Sequence, residues 1–260
     1  MIRPDSLTGL AAALLTPAIG LALFVTPPAD LRPSFGRSLA FDAASAHRHE
    51  EQLKVCDAFY EASGTLSKAQ RDSLASICAP FEERMGYYAV EGVGCSWYCG
   101  GGLDSQSATS TLPRPRSFDY AAGNAHDLDL STAWVEGVAG DGIGQSLTYH
   151  FPPTNPRVTE IIVANGYVRT ADLYRRNGRA RTLIVYHNDT PFARLHLADT
   201  LAAQRFTLPA PIGYGDRSDF KTLAAKPPWT LRFEIAAVYP GTTHDDTAVS
   251  EIWFDGIDVH

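Results

Sequence analysis

The strongest constraint on this chain is a series of short apolar or alternating runs beyond Leu103, each bounded by turn residues. Leu147, Tyr149 and Phe151 alternate with polar neighbours, and VTEIIV at 158–163, TLIVY at 182–186 and FARLHL at 192–197 follow. The run 229–239 (WTLRFEIAAVY) alternates Trp229, Leu231, Phe233 and Ile235, and VSEIWF at 249–254 completes the series. Alternation puts successive side chains on opposite faces of an extended chain, so these runs predict strands. No amphipathic helix of useful length interrupts them, which predicts a mainly β antiparallel sandwich or jelly roll instead of an α/β enzyme fold. The 21 Gly and 17 Pro among 260 residues suit a fold with that many turns.

The region before the strands has a different period. Between Ala44 and Ser63 the apolar positions Leu53, Cys56, Phe59 and Tyr60 recur at helical spacing, and Gly64 ends the pattern. A second helix starts after Ser67, which caps it together with Gln70, and its stripe is Leu74, Ile77, Cys78 and Phe81, with Pro80 limiting it. Cys56 and Cys78 both lie on apolar faces, so a helical hairpin brings them together. Four cysteines allow three pairings. We expect Cys56 with Cys78 and Cys95 with Cys99, the second bridge closing the Gly-flanked loop GVGCSWYCGGG at 92–102 around Trp97 and Tyr98. A zinc site is disfavoured because the paired C-x2-C knuckles of structural zinc are missing. Trp97 and Tyr98 are read as packing on the sandwich, with an aromatic ligand platform as the alternative.

Residues 7–25 (LTGLAAALLTPAIGLALFV) carry no charge and follow Arg3, the pattern of an export signal. The following VTPPAD offers no clear A-x-A cleavage site, and the run approaches the ~20 residues that span a bilayer, so an uncleaved anchor is the second reading. Either way the protein is expected to be exported: secreted, periplasmic, or anchored facing outward. The expected organisation is a signal or anchor at 1–29, a poorly ordered spacer at 30–43, a helical hairpin with its Cys-rich loop at 44–102, and a sandwich at 103–260. A net charge of −7 repels phosphate polymers, so nucleic acid is excluded as a partner, and the membrane is met only through an uncleaved N-terminus.

At Asn124–Trp134 the chain reads NAHDLDLSTAW, and its D-x-D-x-x-T-x-W core resembles the loop that opens discoidin, or coagulation-factor (F5/8) type C, sandwiches of the galactose-binding-like class. VEGVAGDGIGQSLTYHF, IIVANGY, LYRRNGRAR and VYPGTTHDDTAVSEIWF then follow in order, and the region 105–258 resembles the NAD glycohydrolase translocation subfamily of that fold. The resemblance implies a discoidin-like jelly roll behind the disulfide-clipped hairpin. It also implies a structural calcium site made by Asp127, Asp129 and Thr132 with Glu251 of the V-S-E-I run, oxygen donors suited to a hard cation. An Asx-type turn without metal is the alternative. Where the family usually has Gly after the first Asp, this chain has Leu128.

Relatives of this fold bind ligands on loops at one end of the sandwich. On that basis Tyr167, Tyr174, Arg175, Arg176 and Asn177, together with His126, Glu136, Tyr239, His244 and Asp246, are the candidate ligand residues. Trp134 is read as core. The segment 169–181 holds five arginines, read as a solvated hairpin tip with a cationic groove as the alternative.

No nucleophile elbow, P-loop or HExxH occurs, the G-x-G at 142–144 is too short for a dinucleotide fingerprint, and His47 and His49 stand two apart on different helix faces. Asp245 and Asp246, adjacent in a turn, are poorly placed to flank a glycosidic bond. The resemblance implies a catalytic domain separate from this module, and none is expected before the chain ends at His260. The expected function is non-catalytic binding of a glycan or cell-surface polysaccharide. The alternative is an adaptor that contacts another exported protein during docking or translocation.

Overall fold

The computed structural model describes residues 27–79, 85–90, 97–113 and 119–259. Residues 1–26 of the expected leader, Pro80, Phe81 and Cys95 lie outside them, and with Cys95 the expected Cys95–Cys99 pairing. The elements in chain order are β1 (Ala29–Leu31), β2 (Ser34–Ser38), α1 (Ala43–Ala62), α2 (Lys68–Cys78), β3 (Ser105–Ala108), β4 (Trp134–Val135), β5 (Ser146–Phe151) and β6 (Arg157–Asn165). They continue with α3 (Ala171–Arg176), β7 (Gly178–His187), β8 (Thr190–His196), β9 (Ala202–Ile212), α4 (Phe220–Ala224), β10 (Trp229–Tyr239) and β11 (Thr247–Ile257).

The strands form two layers. One runs β3-β5-β10-β7-β8-β1, the other β4-β11-β6-β9-β2, and they are joined where Thr247 and Ala248 of β11 pair in parallel with Gly178 and Arg179 of β7. Alternate residues of both layers meet in one core: Tyr149, Phe151, Leu231 and Phe233 from the first face Ile161, Val163, Phe206 and Phe254 from the second. Phe254 is central, with ring centroids 5.5 Å from Tyr149 and 5.3 Å from Phe151. β6 and β11 read as continuous apolar runs because their second face is buried too. Ile162, Ala164 and Trp253 are covered there by Leu39, Phe41, Val90 and Leu130.

That cover corrects the sequence reading of residues 30–43. A loose spacer was expected, but β1 pairs with β8, β2 pairs with β9, and Leu39 and Phe41 are buried. Two sandwich edges offer unpaired backbone groups, and a polar segment with few apolar residues satisfies them through main-chain bonds that carry no hydrophobic signature. The chain crosses from the edge of one layer to the edge of the other through Arg32 and Pro33.

The helical pair forms much as its periodicity predicts. Ser67 accepts from the Gln70 backbone while the Gln70 side chain accepts from the Ser67 backbone, a capping box, and Cys56 is bonded to Cys78. Ile77, expected in the stripe, is 51% exposed, because the pair's apolar cluster is only Cys56, Phe59 and Cys78 with Tyr60, Leu66 and Leu74 at its margin. So small a cluster leaves the bridge as the main constraint. Reduction of the Cys56–Cys78 bond is expected to remove about 3 kcal/mol from the pair. The helical far-UV signal should melt well before the aromatic near-UV signal of the sandwich, whereas coincident melting would mean the two parts unfold together. His49, read as a surface residue, is half-buried, stacks near Tyr87 and bonds the Met85 carbonyl through Nε2 at 2.9 Å.

Candidate functional site

Three settings receive the predicted site residues: the Asp127–Thr132 loop, the end of the sandwich around α3, and a groove at the β1–β2 crossing. In the loop, Asp127 Oδ1 accepts from Asp129 N at 3.0 Å, Thr132 Oγ1 donates to Asp127 Oδ2 at 2.8 Å, and Asp129 Oδ1 accepts from Ser131 N at 2.8 Å. Leu128, where the family pattern has Gly, takes φ +64°, a left-handed conformation that favours glycine. It is held there because its side chain packs against the cluster under β6 and β11, and its N–H donates to Glu251 Oε2 at 3.1 Å.

Glu251 is fully buried on β11, and burial, with Asp127 beside it, holds its carboxyl well above the usual range. Its Oε1 has no hydrogen-bond partner among the described residues. His126 Nδ1 lies 3.8 Å away but bonds the Ile252 carbonyl at 2.7 Å, and burial lowers its pKa, so it supplies no compensating charge. An orphaned buried oxygen beside a second carboxylate fits a hard cation, with Thr132 and backbone carbonyls as further donors. Among the described residues no group of three or more His, Cys, Asp and Glu is placed to hold a metal, so carboxylates alone do not complete a site.

Most residues predicted for the ligand loops prove to hold those loops together. His126 is ringed by Tyr98, Tyr149 and Phe254 in the core. Glu136, fully buried, accepts from Val138 N at 2.9 Å and Thr247 N at 3.2 Å, clamping the 136–142 turn to β11. Burial raises its carboxyl above the usual range. Tyr167 packs with Ala133, Val135 and Ala248. Tyr174 donates to Asp199 Oδ1 at 2.8 Å, and Asn177 donates its side-chain amide to the Leu173 carbonyl at the end of α3.

The arginine-rich segment is not a hairpin tip. Thr170 caps α3, and the five arginines part company. Arg179 is buried on Asp199, while Arg175 and Arg176 stay exposed near Asp172. The Thr242, Thr243 and His244 amides donate to the Arg175 and Arg176 carbonyls, so the 241–246 loop caps α3 and brings exposed His244 within 3.4 Å of the Arg176 guanidinium. The Asp246 carbonyl accepts from Gly178 N. Arg175, Arg176, His244 and Asp246 are therefore brought together at the end of α3.

Tyr239 lies elsewhere. It is half-buried, its hydroxyl donates to the Leu197 carbonyl at 3.0 Å, and it lines a groove of about 550 Å³ with Arg32, Phe35, Arg181, Thr182 and His196. Phe35 is 59% exposed. His196 bonds Asp30 at 2.6 Å, and Asp30 also receives Arg194 at 3.0 Å, so this carboxylate is already engaged. Sequence reasoning missed Arg32, Phe35 and His196 because the groove exists only where the crossing segment meets the β7–β8 edge. The sole sequence cue was the Arg-Pro step and lone Phe in a stretch otherwise read as a spacer.

Two mainly antiparallel layers, loops gathered on a helix cap, and a buried Glu under a D-x-D turn define a binding module of the F5/8 type C class. Residues 97–255 match the model of the NAD glycohydrolase translocation F5/8 type C domain, and the chain belongs to that family. No curated protein matches the sequence. Among solved structures it is similar to the CBM32-1 and CBM32-2 domains of Clostridium perfringens ZmpB in complex with GalNAc, at 13% identity and TM-score 0.42 over 60% of this chain and 33% of that one. It is also similar to CBM32-3 of a Clostridium perfringens family 31 glycoside hydrolase, at 17% identity and TM-score 0.43 over 65% and 96% of the two chains. A third is CpGH89CBM32-5 from the same organism, in complex with GalNAc-β-1,3-galactose, at 12% identity and TM-score 0.40 over 58% and 94%. The chain spans about a third of the length of the first of these structures. No described helix is long and apolar enough to cross a membrane.

Proposed function

We propose that the protein is an exported, non-catalytic module that binds glycan in the groove between the β1–β2 crossing and the β7–β8 edge. The observation that supports this most is the groove itself: a concave space in the size range of small-ligand sites, with Phe35 and Tyr239 offering ring faces and arginines offering donors. The loop end holds donors, while its Tyr167 and Tyr174 are turned inward, so it serves as a secondary contact. Phe35→Ala tests the assignment, because so exposed a side chain should change stability by no more than about 0.5 kcal/mol. On a glycan array and in titration with the sugar it identifies, the variant is expected to bind about tenfold more weakly, the loss of roughly 1.4 kcal/mol of ring contact. Undiminished binding by Phe35→Ala, with loss in Arg176→Ala, would move the site to the loop end.

The Asp127–Glu251 pair is proposed as a structural calcium site, with Thr132 and Asp129 supplying further oxygens. Bound calcium would supply charge to the buried Glu251 carboxylate and to Asp127 beside it, and pin the loop to β11. Calcium is expected to raise the melting temperature of the protein and to leave Glu251→Gln unchanged; an equal rise in both would remove Glu251 from the site.

One observation favours the second reading, an adaptor for another exported protein. Val55 and Ile77 are 54% and 51% exposed and line the same shallow surface of the helical pair. A folded protein silent across the array would shift the assignment to that surface.

A further inference from the structure

Resting on the glycan reading, we infer that the groove selects an acidic saccharide, whose carboxylate or sulfate is received by Arg32 and Arg181. The two guanidiniums enter the groove from different parts of the chain, Arg32 from the β1–β2 crossing and Arg181 from β7. Both residues are exposed, and neither guanidinium has a hydrogen bond or ion pair among the described residues. This is unusual in a chain of net charge −7, where other arginines are paired: Arg157 with Asp258, Arg179 with Asp199, Arg194 with Asp30 and Arg232 with Glu234. Asp30, two residues before Arg32, is spent on Arg194 and His196. Two uncompensated planar donors facing one concavity suit an oxyacid group, which a guanidinium receives through two parallel bonds.

The crossing is also held ready for a ligand. β1 is tied down by its ladder to β8 and by Asp30, β2 by its ladder to β9, and Pro33 fixes the backbone between them. Little ordering therefore remains to be done on binding, which keeps the entropic cost low. Because the overall charge repels anions at long range, recognition rests on these short-range contacts and should fade with salt. Arg32 and Phe35 lie before residue 97, where the match to the family model begins, so this specificity needs the N-terminal segment of this chain together with Arg181 of the matched region.

The test is titration of the whole protein with oligogalacturonate, with a heparin oligosaccharide and with a neutral galacto-oligosaccharide of matched length. At least one acidic probe is expected to bind tenfold or more tightly than the neutral one. Arg32→Ala and Arg181→Ala should each remove about tenfold of that affinity at unchanged melting temperature, while Arg48→Ala on α1 changes nothing. The two acidic arms distinguish carboxylate from sulfate as the group received. Equal binding of neutral and acidic probes, or binding indifferent to both arginine variants, overturns the inference while leaving the glycan reading intact. No binding of any saccharide by the folded protein overturns both.

Discussion

Trp97→Ala is expected to destabilise the sandwich by about 4 kcal/mol, the cost of deleting a large buried ring from a core that only partly collapses. Trp97 is fully buried, its ring lies 5.9 Å from Phe254 and 6.1 Å from Phe151, and its Nε1 donates to the Pro156 carbonyl at 2.9 Å. The space for it is made by two glycines: a Cβ on Gly101 would sit 2.8 Å from the indole, and one on Gly256 would sit 2.9 Å from Cδ1. Trp97 thus closes over the core, and it has no face to offer a ligand. Thermal unfolding should show a fall on the order of 10 °C for a domain of this size. A shift of less than 2 °C would mean the indole is peripheral. Gly101→Ala should destabilise in the same direction by displacing the ring it presses on.

Asp199→Ala is the second large effect. Arg179 keeps 9% of its side chain exposed and binds Asp199 through two bonds, Nη2–Oδ2 at 2.7 Å and Nε–Oδ1 at 3.1 Å. Tyr174 donates to the same carboxylate, and its ring lies 5.2 Å from the guanidinium. Gly166, at φ +81°, leaves room for both, since a Cβ there would come within 2.5 Å of Arg179 Cγ. Removing Asp199 strands a buried cation and a buried hydroxyl. Breaking such a pair costs about 3 to 5 kcal/mol when both partners are buried. Asp199 is 38% exposed, so water screens part of that, and about 2 to 3 kcal/mol is expected. The double variant Arg179→Met, Asp199→Ala should recover most of the loss; no recovery would show that Asp199 acts without Arg179.

The same carboxylate sets a pH dependence. Burial opposes its ionisation, but hydrogen bonds from Arg179 and Tyr174 and the Arg179 charge outweigh burial and hold its pKa below the ordinary 3.8. Its contribution is therefore present above pH 3.8 and lost as pH falls through the lower folded-state value. Acid melting of the native protein should steepen there relative to Asp199→Ala.

The core strands were legible because burying one face imposes alternation on the residues themselves. Trp229, Leu231, Phe233 and Ile235 announce β10 in sequence and line the core in the fold. The capped second helix was legible for a similar reason, since Ser67 and Gln70 act over a single turn. β9 was not predicted, since LPAP at 208–211 breaks its alternation with two prolines at the end of an edge-side strand. Nor were β1 and β2, whose place is fixed by backbone pairing to β8 and β9. Main-chain hydrogen bonds are the same for every residue but proline, so no side-chain pattern reports them.

The candidate sites divide the same way. Asp127, Asp129, Thr132 and Glu251 were visible as motifs because the turn and the strand residue are defined locally, and the fold brings Asp127 and Glu251 together. Whether His126, Glu136 or Tyr174 faces solvent depends on which layer packs over it, and only the tertiary structure decided that all three are turned inward. The groove of Arg32, Phe35, Arg181 and Tyr239 is a property of no single segment. Sequence by itself determined the alternating core strands and which residues carried charge and rings; the crossing of the N-terminal segment between two sheet edges decided which of them share a site, because a concave surface is made by the relative placement of elements and by nothing within any one of them.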